Sequence, residues 1–433
     1  MFNHIKYLVK KLLNTGFFSI YLGTICSKVI ILLGGVFIVR LLSQEDYGIY
    51  TLVLNAISML CIFGDLGAAD AVLQYGIKAE NDKEKQKGFL KLGLRMMMYA
   101  SIASIALIIL SPIYYPYQSK DVERLAIILC AIPLLKNVIN YMAMILRVKR
   151  QNNQYSLYQL LNTAIHYGVI IILTILFGLK GSIVAQYVYN IIIFIIGLIF
   201  VRKYIKLKNT SKIDNKEKKD FWKMGISYQL NNTLNSLLYQ IDIFILGIMS
   251  NNVEVSIYKV ATIIPNALVF LPQCLGVYVN PYFISNNTDP DWIKQKSKKI
   301  IKYMFPIYLL ITIILIVGAR FIFNILYGEE YLEAILPFSL LMIGFLFSAG
   351  IKTFLINIIY CMHRIWFGVI LNVISMIINV ILDVILTLLF GYIGVAIATL
   401  IVNIITAIIS YIYFKKCIND LKKKNEMETQ SIN

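Results

Sequence analysis

Apolar runs of about 20 residues, the length that crosses a bilayer as a helix, recur along the whole chain with short polar segments between them. They lie near residues 17–39, 50–76, 92–113, 123–146, 155–177, 181–201, 224–249, 258–283, 303–325, 334–358, 367–389 and 393–414. In hydrocarbon every backbone N–H and C=O needs an internal partner, so each run is read as a helix. The chain is therefore expected to be an all-α integral membrane protein with about twelve transmembrane helices. Composition agrees: 59% of residues are hydrophobic and only 15% are charged, against about a quarter charged in a soluble domain. The first run follows Lys6, Lys10 and Lys11 as in a signal peptide, but it is too long for one and no small-x-small cleavage site closes it.

A net charge of +18 on a soluble protein would suggest nucleic acid, and here its location points elsewhere. Of the 41 Lys and Arg, 31 fall at the termini and in the alternate loops on one side of the predicted membrane. Only Arg40, Lys120, Arg124 and Lys180 fall on the other side. The positive-inside rule then places both termini in the cytoplasm, and no nucleic-acid partner is expected. The six cysteines form no close-spaced pair, so neither a disulfide framework nor a metal site is expected.

Arg202 to Lys223 is the longest polar run, and the segments on either side of it read as two copies of one unit. A shift of 207 places Tyr21 on Tyr228, Phe37 on Phe244 and Ser43 on Ser250, and 208 places Tyr50 on Tyr258. Near the ends of the copies a shift of 213 places Gly178 on Gly391, Gly181 on Gly394, Ala185 on Ala398 and Asn190 on Asn403. Parallel repeats of this kind are a transporter device. The expected organisation is a bundle of six helices over residues 1–205, a cytoplasmic linker at 206–223, a second six-helix bundle over 224–416 and a cytoplasmic tail at 417–433.

Polar residues inside the apolar runs are the candidate site. Tyr21, Thr24, Lys28 and Gly35 share one helical face, and Tyr228, Asn231, Asn235 and Asp242 occupy the equivalent positions in the second copy. A polar stripe is costly against lipid, so both stripes should face protein or water, as a hydrogen-bonded seam between helices or as the wall of a central cavity. Lys136 adds a cation beside Asn137 and Asn140, and Asp65, Asp242 and Asp383 are the intramembrane acids. Lys28 has two readings: an ion pair with Asp65 or Asp242, or a ligand for an anionic group. Arg95, Arg320 and Lys352 lie near predicted helix ends and are expected to snorkel to the headgroups. Pro265 and Pro272 are expected to bend the eighth run. No phosphate-binding loop or nucleophile motif is present, which argues against an enzyme. Transport would then draw on an ion gradient, with Asp242, Asp65 and Asp383 as ion-coupling candidates.

Four stretches resemble the polysaccharide flippases of the MATE-like MOP exporter superfamily, the group that includes O-antigen and capsule repeat-unit flippases. They are Arg40-Leu-Leu-Ser-Gln-Glu-Asp-Tyr-Gly-Ile-Tyr50; Ile241-Asp-Ile-Phe-Ile-Leu-Gly247 with Tyr258-Lys-Val-Ala261; Leu326-Tyr-Gly-Glu-Glu-Tyr-Leu-Glu-Ala334; and Asn379-Val-Ile-Leu-Asp383 with Gly391-Tyr-Ile-Gly-Val-Ala-Ile-Ala-Thr399. The sequence departs from the family at Asp383, where Asn is more usual. The resemblance implies two pseudo-symmetric six-helix bundles around a central cavity that opens alternately inward and outward. It implies a cargo of undecaprenyl-diphosphate-linked oligosaccharide, moved between the leaflets of a bacterial cytoplasmic membrane. Lys28 and Lys136 would meet the diphosphate, and Tyr21, Thr24, Tyr228, Asn231 and Asn235 the sugar. No cofactor is expected beyond coupling to a proton or sodium gradient. Polysaccharide polymerase and glycosyltransferases are the expected partners, with the membrane lipids. The competing readings are a multidrug or other small-molecule exporter of the same fold and, further off, a membrane glycosyltransferase or polymerase.

Overall fold

The computed structural model describes residues 17–61, 63–204, 213–362 and 364–432, and every regular element among them is helical. The chain divides into two compact units, Met1–Gln240 and Ile241–Asn433. The first unit holds α1 (Phe17–Leu41), α2 (Gln44–Leu60), α3 (Ala68–Lys78), α4 (Lys83–Tyr114), α5 (Lys120–Ile128), α6 (Ile132–Val148), α7 (Asn152–Val201) and most of α8 (Asn215–Met249). The second continues with α9 (Asn252–Leu268), α10 (Phe270–Ser285), α11 (Pro290–Val317), α12 (Ala319–Leu326), α13 (Ile335–Phe347), α14 (Thr353–Cys361), α15 (Ile365–Phe390) and α16 (Tyr392–Ile432).

Eight of the described helical segments are long and apolar enough to cross a membrane, and the α5–α6 pair, bent by 44°, makes a ninth. The other predicted runs are present in altered form. Gly178, with φ 58 and ψ −138, divides the 50-residue α7 into two helices. The run at 50–76 is split into α2 and α3 by a turn, and α8 carries a charged first half. Counted in this way, the helices match the twelve predicted runs.

The two units repeat each other in backbone detail. Gly391 has φ 57 and ψ −138, the conformation of Gly178. A Cβ on Gly181 would fall on the carbonyl of Leu173, and one on Gly394 would fall on that of Leu386, so only glycine permits either approach. The Ser43 hydroxyl caps α2 by accepting from the Asp46 N–H at 3.1 Å, and the Asn251 side chain caps α9 by accepting from Glu254 at 2.9 Å. All these pairs keep the 208 or 213 shift read from the sequence.

Packing sets the unit cores. In the first unit α1 and α6 lie along α7, while α3, α4 and α6 enclose Val72, Met96, Met97, Leu146 and Tyr158. In the second, α13 and α15 pack on α16, and α10 and α14 enclose Phe283, Phe354, Leu355 and Ile359. Ile113, Val317 and Leu388 are 82%, 80% and 74% exposed. In water such faces would drive aggregation, and in hydrocarbon they carry no hydrophobic penalty.

Two elements differ from expectation. The linker expected at 206–223 is helical from Asn215, because Phe221 is fully buried against Phe89 and Tyr75 and Lys85 pairs with Glu217 at 2.7 Å. Residues 417–432 likewise continue α16: Cys417 and Ile418 are buried, Lys422 pairs with Asp291 at 2.5 Å, and the Asn425 amide donates to the Thr288 carbonyl. Between α13 and α14 lies a π-turn, Ser348–Lys352, which places Lys352 about 13 Å of helix before Cys361. Pro265 and Pro272 flank the one-residue break between α9 and α10 at Val269, whose backbone stays in the right-handed helical region.

Candidate functional site

The second unit gathers an acidic centre from four helices. Asp242 sits on the last part of α8, Tyr258 on α9, Asp383 on α15 and Thr399 on α16. The Tyr258 hydroxyl donates to Asp242 Oδ2 at 2.5 Å, and the Thr399 hydroxyl donates to the same oxygen at 3.0 Å. Asp242 Oδ1 is buried with no hydrogen-bond partner. Asp383 is fully buried within electrostatic range of Asp242, and neither of its carboxyl oxygens has a hydrogen-bond partner. Two carboxylates offer acceptors only, so they repel unless a proton or a cation lies between them. No ion pair among the described residues involves either acid.

Helix α15 supplies this centre by its period. Ser375, Asn379, Asp383 and Thr387 follow one another at i+4 and are all buried, so one polar face of an otherwise apolar helix points into the unit. Thr387 Oγ1 is also without a partner. Chemically the centre is two carboxyls and two hydroxyls shielded from lysine and arginine. A donor set of that kind can hold a proton or a small monovalent cation. Sequence reasoning singled out Asp242 and Asp383 separately and missed Tyr258 and Thr399. Both stood in the quoted stretches, Tyr258 as the repeat of Tyr50 and Thr399 at the end of the second glycine motif.

In the first unit the predicted residues separate. Asp65, an ion-coupling candidate from sequence, accepts from the backbone N–H groups of Gly67 and Ala69, each at 2.9 Å. It caps α3 after a turn in which Gly64, Leu66 and Gly67 all have positive φ. No ion pair among the described residues joins Asp65 to Lys28, the pairing considered from sequence. Lys28 and Thr24 are exposed on α1. The Asn137 amide donates to the Gly64 carbonyl at 2.9 Å and to Ser101 at 3.0 Å, which holds the turn from the α6 side. Tyr228 accepts from Gln74 at 2.6 Å, and Asn55 donates to Gln240 Oε1 at 2.7 Å, so this part of α8 is tied to α2 and α3. Tyr21, Asn231 and Asn235 lie in helices, and their side chains fall outside the described residues. Lys136 is solvent-exposed on α6, within electrostatic range of Cys61 and His166.

An all-helical chain of two repeated units, with polar and charged centres inside apolar helices, has the build of a membrane transporter. Solved structures share it. An inward-facing multidrug resistance MATE family transporter of the MOP superfamily superposes with a TM-score of 0.74 at 17% identity, over 92% of this chain and 96% of its own. The lipid II flippase MurJ superposes with a TM-score of 0.73 at 18% identity, over 93% of this chain and 89% of its own. A MOP superfamily transporter from Pyrococcus furiosus gives 0.57 at 15% identity, over 94% of each chain. Residues 13–287 match the family described as polysaccharide biosynthesis protein, and the chain belongs to that family. No curated protein sequence matches it significantly.

Proposed function

We propose that this protein is a flippase for undecaprenyl-diphosphate-linked oligosaccharide repeat units of O-antigen, capsule or similar polysaccharide. It moves them from the cytoplasmic to the outer leaflet of a bacterial cytoplasmic membrane by alternating access. The observation that carries the reading is membership of the polysaccharide biosynthesis family across residues 13–287. The fold shared with a lipid II flippase supports it. Asp242 and Asp383, with Tyr258 and Thr399, are the coupling centre for a proton or sodium ion. One monovalent cation moving down about 100 mV supplies about 2.3 kcal/mol, enough to hold a cargo gradient of about fiftyfold.

Deletion of the gene is expected to abolish the cognate surface polysaccharide and to accumulate its lipid-linked unit on the cytoplasmic side, with restoration by the full chain in trans. Unchanged surface polysaccharide together with new sensitivity to cationic drugs would move the assignment to the multidrug exporters of the same fold.

The proposed orientation rests on the 31 cations of one side against four on the other. Cysteines introduced at the exposed positions Asn215 and Lys423 should resist an impermeant thiol reagent in intact cells, and one at Glu330 should react. Labelling at 215 from outside would reverse the topology.

A further inference from the structure

In the second unit Asp383, Thr387 and Gly391 follow one another at i+4, so one face of α15 leads from the acidic centre to the helix end. Helix α16 starts at Tyr392 and runs to the basic tail with Lys422, Lys423 and Lys424, so Gly391 lies at the end remote from that tail. From Asp383 it is about 12 Å along α15 to Gly391 and about 27 Å to Ile365 at the other end. The two directions differ in chemistry. Toward Ile365 the face continues through Asn379 to Ser375, whose hydroxyl is committed to the Leu371 carbonyl at 2.6 Å, and the Leu371 side chain is buried. Toward Gly391 the Thr387 hydroxyl is buried with no hydrogen-bond partner, and a Cβ on Gly391 would lie 3.1 Å from Glu254 Oε2.

Glu254 Oε2 thus stands between two helix ends. It accepts from the hydroxyl of Ser250, the residue after α8, and it lies against Gly391, the residue after α15. Both are C-terminal ends, where the last carbonyls gather partial negative charge and a carboxylate is disfavoured unless a cation joins it. No lysine or arginine pairs with Glu254 among the described residues, and the residue is partly exposed. The N-terminus of its own helix, α9, favours an acid in the first turn, and the 208 shift puts Asp46 there in the first unit. That role does not require the reach to Gly391. A Cβ on Gly178, the counterpart of Gly391, would meet nothing within 4 Å. Thr174, the counterpart of Thr387, is likewise buried without a partner, whereas Gly35 and Ile170 replace Asp242 and Asp383. The hydroxyl is common to both units, and the carboxylate over the helix end occurs only with the acids.

We infer that Glu254, with the ends of α8 and α15, is an entry site for a monovalent cation, which passes Thr387 to reach Asp383 and Asp242. Glu254 concentrates cations at the mouth, and a carboxylate in a low-dielectric cleft raises their arrival rate about tenfold or more. Thr387 offers an oxygen one turn, about 5 to 6 Å, above Asp383. Carboxylate, hydroxyl and carbonyl oxygens are all hard donors suited to a small cation. The inference rests on the reading of Asp242 and Asp383 as a coupling centre and adds the side from which that centre is loaded. Under the proposed orientation it is the outer face.

The probe is the silver ion, a monovalent cation that bonds irreversibly to thiols. Thr387→Cys is placed in the full chain with its six native cysteines replaced by alanine. Right-side-out and inside-out membrane vesicles are treated with silver nitrate in chloride-free buffer, and the remaining thiol is counted with a maleimide after solubilisation. Thr387→Cys should react from the outer side, and adding Glu254→Gln should slow that reaction about tenfold. The rate with neutral N-ethylmaleimide should not change, which separates loss of charge from loss of structure. Glu254→Asp, one methylene shorter, should give an intermediate silver rate and serves if Glu254→Gln fails to fold. Glu330→Gln, an exposed acid of the same face, and Thr174→Cys in the first unit are the controls, and neither should show the effect. Each variant is first checked for unchanged thermal unfolding and elution. No silver reaction from the outer side, reaction only in inside-out vesicles, or equal rates with and without Glu254 would overturn the entry site. The coupling reading fails separately: Glu254-dependent silver access in a protein whose Asp242→Asn variant exports normally would keep the entry site and remove the coupling centre.

Discussion

Asp242→Asn is expected to cut polysaccharide export by about ten- to a hundredfold while leaving the protein in the membrane at wild-type abundance or above. The substitution is nearly isosteric, and its side-chain oxygen can still accept from Tyr258 and Thr399, which now meet the carboxylate at 2.5 and 3.0 Å. What it removes is one negative charge from a centre in which Asp383 and the Asp242 Oδ1 atom are buried and which has no lysine or arginine partner among the described residues. Burial of an unpaired charge is destabilising, so the variant should unfold at a temperature equal to or higher than the wild type. Cation binding should suffer instead. A hydrogen bond to a charged group is worth about 1.5–3 kcal/mol, so export should fall by about ten- to a hundredfold. Asp383→Asn should behave alike, since either change leaves a single acid. Tyr258→Phe should be milder, because Thr399 still donates to Asp242 Oδ2. Surface polysaccharide, membrane abundance and thermal unfolding are measured together. Full export by Asp242→Asn that still collapses with the ion gradient would sink the coupling assignment.

Gly67→Ala is expected to lose most of the folded protein. Gly67 has φ 75, where an alanine pays about 1–2 kcal/mol. Its Cβ would also be driven onto the carbonyl oxygen of Gly225, a backbone atom of α8 with no rotamer to yield. Either α8 shifts away from α3, or the turn that positions Asp65 as the α3 cap is lost. Together these put the cost at about 3 kcal/mol or more, at the severe end for one substitution. Gly168→Ala is the control. A Cβ there meets nothing within 4 Å, and helix propensity favours the alanine by about 1 kcal/mol. Thermal unfolding in detergent, followed by size-exclusion, should separate the two variants clearly. Wild-type unfolding of Gly67→Ala would mean that the α3–α8 contact is not held as described.

The expected stripes show where sequence reading reaches its limit. The period that put Tyr228 and Asp242 on one face of α8 was sound, yet these two residues serve different units. Tyr228 is bonded to Gln74 in the first and Asp242 to Tyr258 in the second, because the boundary of compactness falls between Gln240 and Ile241. Asp65 looked like Asp242 from sequence, as an acid within an apolar run. The turn after Cys61 then aims backbone N–H groups at it, and those absorb its charge. The two acids are told apart by their neighbours, which lie on other helices or in a turn no periodicity predicts.

The linker shows the same limit. Arg202 to Lys223 is polar by composition, but Phe221 and Trp222 needed a partner, and Phe89, Tyr75 and Tyr99 provide it. Nor did any residue pattern announce the π-turn at Ser348–Lys352.

By itself the sequence determined that this chain is a bundle of helices and that the bundle is doubled. Hydrophobic run length and backbone hydrogen bonding leave no other solution in lipid, and the glycines at 178, 181, 391 and 394 carry the duplicated turn in residues that no other side chain can replace. The tertiary structure alone decided which acids meet. Asp242 and Asp383 stand 141 positions apart in sequence and share one buried centre because α8 and α15 both present a polar face to the interior of the second unit. It also decided that the carboxyl of Asp65 is taken up by the backbone N–H groups of Gly67 and Ala69. Side-chain period is a property of one helix, whereas the sign of charge in a buried site is the sum over several, and only packing brings those helices together.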